Sequence, residues 1–306
     1  MRSFPILLVL ALAGAGVRAQ ESPMPPLPPT VADGATIERI YTGDERLMLE
    51  GPVWDPVSGA LLFTACRADQ ILRLDASGEV TVWMEPTGGI NGMIRSRSGR
   101  LIGAAVTAHQ IVSIGIGPGG PTDVAVLAGD PAWNQPNDVC EAPDGTLYFS
   151  DPSWASPERS AVYQLIPGGQ PSAVLTGLET PNGVITTADG ARLIVGDSRR
   201  ALWMWYTLHQ GEVIPEGREF FNPDTPNRDD PDGMTRDADG NLYLSGRGGV
   251  WVVTPEGEAL GLIPAPAFVS NVCFGGDDGQ TLFMTGRGAV WRLAMRVRGA
   301  PVRPEL

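Results

Sequence analysis

Histidine is nearly missing from this chain: His109 and His209 are the only two in 306 residues. Neither stands in a nucleophile-elbow context, so the sequence offers no Ser-His-Asp triad, and both read as surface or strand residues. Cysteine is scarce too. Cys66, Cys140 and Cys273 lack metal-ligand spacing, and an odd count allows at most one disulfide within the chain. Their hydrophobic strand contexts make all three expected buried small hydrophobes. No amphipathic helical period occurs after residue 34, which argues against a helical domain. Positive charge is also short, with 22 Lys and Arg against 35 Asp and Glu and a net charge of −13. Such a surface repels a phosphate backbone, so a nucleic-acid partner is not expected.

The one long apolar run lies in residues 1–19, MRSFPILLVLALAGAGVRA, and is too short to span a bilayer. Its early Arg2 and small-residue end read as a secretory signal peptide, cleaved near Ala19–Gln20. No lipid-accepting cysteine follows it. The expectation is an exported protein, secreted or periplasmic, without a membrane partner and monomeric or weakly homo-oligomeric. Removing residues 1–19 takes two arginines and no acids, which moves the formal charge from −13 to −15. Residues 20–33 are rich in proline and are expected to form an extended, poorly ordered tether. A globular domain is expected over residues 34–306, and its 42% hydrophobic and 19% charged content suits a sizeable core.

What fills that domain is one pattern repeated six times. The copies start EGPVWDPVSGALLFTAC at Glu50, NGMIRSRSGRLIGAAV at Asn91, NDVCEAPDGTLYFSD at Asn137, NGVITTADGARLIVGD at Asn182, DGMTRDADGNLYLSG at Asp232 and NVCFGGDDGQTLFMTG at Asn271. Steps of 39 to 50 residues mark stacked supersecondary units. Each copy holds a short strand, a turn with glycine and a second, alternating strand. Third strands follow (QILRLD, QIVSIG, AVYQLI, ALWMWY, GVWVVT, AVWRLA), and a less regular fourth follows in most. The fold class expected is all-β: a six-bladed β-propeller with about four antiparallel strands per blade. The strand ATIERIY, residues 35–41, is expected to complete the last blade. Trp251 and Trp291 hold equivalent third-strand positions and read as packing between blades.

The innermost strand of each blade lines the central channel, so six equivalent residues converge at one end of it: Glu50, Asn91, Asn137, Asn182, Asp232 and Asn271. A single Asn or Asp at a strand mouth is ordinarily a turn or cap residue. Six at one radial level point to a shared site. Pro136, Pro181 and Pro231 precede three of them, and Gly51, Gly92, Gly183 and Gly233 follow four. No Lys or Arg occupies any of the six, and two carboxylates in a narrow channel need a cation or a proton. An oxygen-only donor set suits a hard divalent ion, Ca2+ foremost, then Mg2+, Mn2+ or Zn2+. Glu50 and Asp232 would balance its charge, and Asn137 and Asn182 would add neutral oxygens.

Second strands return to the same end, where Asp151 and Asp197 are candidates for substrate contact or outer support, or alternatively turn caps. The irregular segments 130–136, 152–160 and 221–231 gather on this rim and bring Trp133 and Trp154 to the pocket mouth. Each Trp either contacts the substrate or pins its loop.

LEGPVWDPVSGALLF, NQPNDVCEAPDGTLYFSDPSW, TPNGVITTADGARLIVGDS, DPDGMTRDADGNLYLS and SNVCFGGDDGQTLFMT resemble the senescence marker protein/gluconolactonase/luciferin-regenerating enzyme family over residues 49–285. The NQPND and FSDP phrases are most similar to bacterial gluconolactonases. The resemblance implies the six-bladed fold, a central divalent metal and lactone hydrolysis. It places metal ligands on Glu50, Asn182 and Asp232, the substrate- or metal-contacting Asn on Asn137, and the acid/base on Asp232. Two wall positions depart. Gln135 stands where the animal protein has an arginine, and Ala155 falls near its acidic substrate contact, which implies a different substrate. The expected activity is metal-dependent lactone hydrolysis, with Asp151 or Asp197 sharing the proton work and Asn91, Asn271 and Trp154 contacting substrate. A non-catalytic metal- or ligand-binding propeller is the alternative. A strictosidine-synthase-like propeller is disfavoured because the PND, PNG and PDGM phrases are all present.

Overall fold

A computed structural model describes residues 24–117, 119–227 and 229–301. The leader read over residues 1–19 lies outside them. The described chain forms six separate antiparallel sheets in sequence order, a six-bladed propeller. Blade one shows the plan, with strands Glu50–Asp55, Ala60–Ala65, Gln70–Leu74 and Val80–Met84 ordered from the axis outward. The inner strands of blades two to six are Ile90–Arg95, Val139–Glu141, Pro181–Thr186, Met234–Arg236 and Val269–Gly275. Blade four has a fifth strand, because the long Leu202–His209 pairs with both Glu212–Val213 and Arg218–Phe221. Blade six is completed by Glu38–Thr42, which pairs antiparallel with Ala289–Ala294.

Each first hairpin turns at the repeated glycine. Gly59, Gly99, Gly145, Gly190, Gly240 and Gly279 all have positive φ, from 62° to 89°, where a side chain would be strained. Between blades the apolar faces interlock. Trp251 packs with Trp203 of blade four and Leu244 of blade five, while Trp291 joins Val252 and Ile263 of blade five. Cys140 is buried as expected, but Cys66 and Cys273 are only half-buried, and all three are free thiols. Cys66 sits on the rim, where its Sγ meets the Gly89 carbonyl at 3.2 Å.

The proline-rich segment differs from the loose tether expected of it. From residue 24 onward it lies against blades five and six, with Thr30 and Val31 buried. The Pro26 carbonyl accepts the Leu262 N–H at 3.0 Å, and Thr30 accepts from Arg296 at 2.7 Å. Extended proline backbone has free carbonyls, which suit it to cover an otherwise unpaired sheet edge. Among the described residues no helix is long and apolar enough to cross a membrane.

Candidate functional site

Every inner strand loses its regular ladder at the channel mouth. In blades one, two, four and six the register slips there, between Glu50 and Val53, Ile90 and Met93, Pro181 and Val184, and Val269 and Asn271. In blades three and five the ladder begins only at Val139 and Met234, just past Asn137 and Asp232. A bulge frees backbone from the sheet and re-aims its side chain. Here the side chains re-aimed are the six residues at the strand mouths.

The six form a closed ring of neighbours. Gly51 packs on the Asn91 carbonyl, Gly92 on the Asn137 carbonyl and the Asp138 carboxylate, Gly183 on the Asp232 carbonyl, and Gly233 on the Asn271 amide. A Cβ at any of the four would collide with the next blade, so these glycines let the strand mouths close in. The Gly92 N–H donates to Asn137 O at 2.7 Å, and Asn91 Nδ2 reaches the same carbonyl at 3.4 Å. Asn182 Nδ2 donates to Ser198 Oγ at 3.3 Å, and that hydroxyl donates to Pro231 O at 2.8 Å. Asn271 Nδ2 donates to Glu50 Oε2 at 3.1 Å, which closes the circle.

The charge inside this ring is unbalanced. Glu50, Asp138 and Asp232 are each more than nine-tenths buried. Burial pushes the Glu50 carboxyl up, with Asp138 adding repulsion; only the Asn271 amide and the Gly51 N–H hold it down. Asp232 is raised well above the carboxylate range by burial and then by Glu50, Asp138 and Asp230. Burial raises Asp138 to about 7, against N–H groups of Val139 and Val184. Among the described residues no cationic side chain offsets any of the three. Two amide oxygens, Asn137 Oδ1 and Asn182 Oδ1, are buried without a hydrogen-bond partner. Buried acceptors are rarely left so, and they call for a ligand. Among the described residues no three His, Cys, Asp or Glu side chains gather as a metal cage. The donor set that does fit a hard cation is mixed: carboxylates of Glu50 and Asp232, amide oxygens of Asn137 and Asn182.

Asp138 has no counterpart in the sequence reading. It occupies the place that glycine holds after four of the strand mouths, and this break in the pattern was the available signal. Asn91 is half-buried, and Asn271 has both ends of its amide engaged, since its Oδ1 accepts the Val272 N–H at 2.8 Å. Asp151 and Asp197 are fully buried and committed to backbone. Asp151 accepts from Asn134 N at 2.9 Å, Gln135 N at 2.7 Å and Asn134 Nδ2 at 2.9 Å. Asp197 accepts from Glu179 N at 2.9 Å and Thr180 N at 3.1 Å. Both shape the approach to the ring from behind. The third loop is held by Arg247, buried, which donates to the carbonyls of Ala201, Pro223 and Thr225.

A cleft of about 320 Å3 opens between the 152–160 segment and the 130–136 segment that leads into Asn137, lined by Trp133, Gln135, Trp154 and Arg159 among others. Trp133 is 5% exposed and packs on Phe149 and Tyr163 at 4.9 and 5.4 Å, so it does pin its loop. Trp154 is 39% exposed. His109 is half-buried on the same rim and His209 is exposed.

Residues 48–287 match the pattern of the family described as SMP-30/Gluconolactonase/LRE-like region. A gluconolactonase of Zymomonas mobilis is 28% identical over 286 residues, which cover 82% of this chain and 79% of that protein. A solved gluconolactonase of Xanthomonas campestris superposes with a TM-score of 0.74 at 25% identity, covering 91% of this chain and 99% of its own. The calcium-binding protein regucalcin of Agrobacterium tumefaciens shares the fold, with a TM-score of 0.72 at 20% identity over 86% of this chain and 97% of its own.

Proposed function

Because the chain belongs to the SMP-30/gluconolactonase/LRE-like family, we propose that it is a lactone hydrolase working at the ring of Glu50, Asn137, Asn182 and Asp232. The observation that carries this reading is the pair of partnerless buried oxygens, Asn137 Oδ1 and Asn182 Oδ1, with two buried carboxylates that no cationic side chain among the described residues offsets. Those four residues would hold a divalent ion, Ca2+ best by the all-oxygen donor set, and the ion would polarise the carbonyl and steady its developing negative charge. Asp232 accepts a proton from the attacking water as the water oxygen bonds to the carbonyl carbon. The ring C–O bond then breaks, Asp232 returns the proton to the leaving alkoxide, and a hydroxy acid results without redox change. Asn271 orients Glu50 through its 3.1 Å hydrogen bond. Asp151 and Asp197 fix the loops and strand mouths that present Asn137 and Asn182. The protein is proposed to act outside the cytoplasm, after loss of residues 1–19; N-terminal sequencing of the mature protein checks this.

The test is a lactone panel assayed before and after chelation, with metal content measured alongside. Turnover lost on chelation and restored by Ca2+ supports the reading. Bound metal with no turnover on any lactone would instead favour a binding propeller.

A further inference from the structure

The turns between second and third strands all lie at the site end, and in five of six blades they carry arginine: Arg67, Arg159, Arg199 with Arg200, Arg247 and Arg287. Blade two has His109 there. Apart from the buried Arg247, these arginines are exposed, and among the described residues none of the exposed ones is in an ion pair. Glu158 and Glu179 share the rim but do not come within ion-pair distance of Arg159 or Arg199. In a protein of net charge −13, which repels anions at long range, unpaired cations at the mouth are a local exception.

At the blade-three cleft such a cation, Arg159, lines the same walls as Trp133 and Trp154. Its walls are held in advance of any ligand. The Asp151 carboxylate fixes the backbone of Asn134 and Gln135, and Asn134 Nδ2 crosses to Arg159 O at 3.0 Å. Ser153 N donates to Ser160 Oγ at 2.9 Å, and Arg199 Nη2 donates to Trp154 O at 2.9 Å. The carbonyl of Trp154 is thus tied down while its indole remains open. An open indole on an anchored backbone, with a guanidinium lining the same cleft, matches a flat ring bearing an anion, through stacking and charge-assisted hydrogen bonds. Gln135 on the wall adds a neutral polar group and no competing charge.

We propose that this cleft binds the non-reacting part of the substrate, an apolar ring carrying a carboxylate or phosphate, with Trp154 under the ring and Arg159 on the anion. The substrates are therefore acidic lactones. This rests on the lactone-hydrolase reading, and the experiment separates the two. Two matched phenyl-bearing δ-lactones are compared, one with a free carboxylate on the phenyl ring and one with its methyl ester. kcat/KM is measured for wild type, Arg159→Gln, Trp154→Ala and Arg287→Gln. Binding of both ring-opened hydroxy acids is measured by calorimetry, which needs no turnover.

Wild type favours the free acid about tenfold, the size of one hydrogen-bonded charge contact. Arg159→Gln removes that preference, and Trp154→Ala weakens acid and ester alike. Arg287→Gln, across the rim, leaves the preference in place. An equal response to acid and ester in wild type overturns the proposal. So does an equal loss in Arg287→Gln, which would mean a diffuse field and no cleft. If neither lactone is opened but the ring-opened acid still binds through Arg159, the cleft stands and the hydrolase reading falls.

Discussion

Asp232 and Asp237 are near neighbours on blade five and both are buried, yet they sit at opposite ends of its inner strand. Asp237 is surrounded by donors: Asp239 N at 3.0 Å, Asn241 N and Nδ2 at 2.9 Å, and Tyr243 Oη at 3.2 Å. Asp232 meets the Gly233 N–H and otherwise three more carboxylates, those of Glu50, Asp138 and Asp230. One aspartate is buried because the fold satisfies it. The other is buried at a cost to the fold, which is how a binding centre differs from a turn. The contrast teaches that burial alone does not mark a site; burial without partners does.

The sharpest break of this contrast is Asp232→Asn. Hydrolysis should fall by about 10²–10⁴, the range for a lost acid/base group, and metal affinity should fall with it. Kinetics and metal analysis check both; a variant with wild-type turnover and metal content removes Asp232 from the site.

Next in size is the difference among the asparagines. Asn182→Ala deletes a partnerless oxygen and should weaken metal binding more than Asn271→Ala, whose amide is already shared by Glu50 and Val272. Asn91→Ala should be milder still. Equal metal loss in all three variants would mean that the ring acts as one cage.

Asp237→Ala should act in the opposite sense. Losing a buried acceptor with several donors should cost about 2–4 kcal/mol of stability, read as a lower Tm, while metal content stays unchanged.

The smallest effect is on pH. In chelated protein Glu50 rises from 4.5 to about 8 and Asp138 from 3.8 to about 7 on folding. Both bind protons more tightly when folded, so their contribution is complete below about pH 4 and is lost as pH climbs towards 8. Denaturant titrations should show chelated protein weakening over that window, and Ca2+ should flatten the decline. A chelated protein whose stability rises across it would contradict the buried, uncompensated charge.

The fold was legible because its signals are local and repeated. A turn glycine, an alternating second strand and a polar residue at each strand mouth recur six times, and the bulges follow from what that residue must face. The role of Asp138 was not legible, since its meaning depends on Gly92 of one blade and Val184 of another. Asp151 and Asp197 could be placed on the rim, but their partners are backbone N–H groups that a one-dimensional pattern does not display. The proline-rich segment reads by composition as loose. Its docking depends on an open sheet edge more than two hundred residues away, which composition cannot register.

Glu38–Thr42 is made before the other strands of the propeller and waits for Ala289–Ala294, so that Glu38 and Arg292 are joined across 254 residues. A growing chain can finish five blades in order as it emerges, but the sixth has no outer strand until both ends are present. Ring closure is therefore the last event, and a strongly non-local one, which places the slow step of folding at the seam. The six strand mouths come to a common centre only when that seam is shut. A nascent or truncated chain holds each donor without the enclosure that makes them a site.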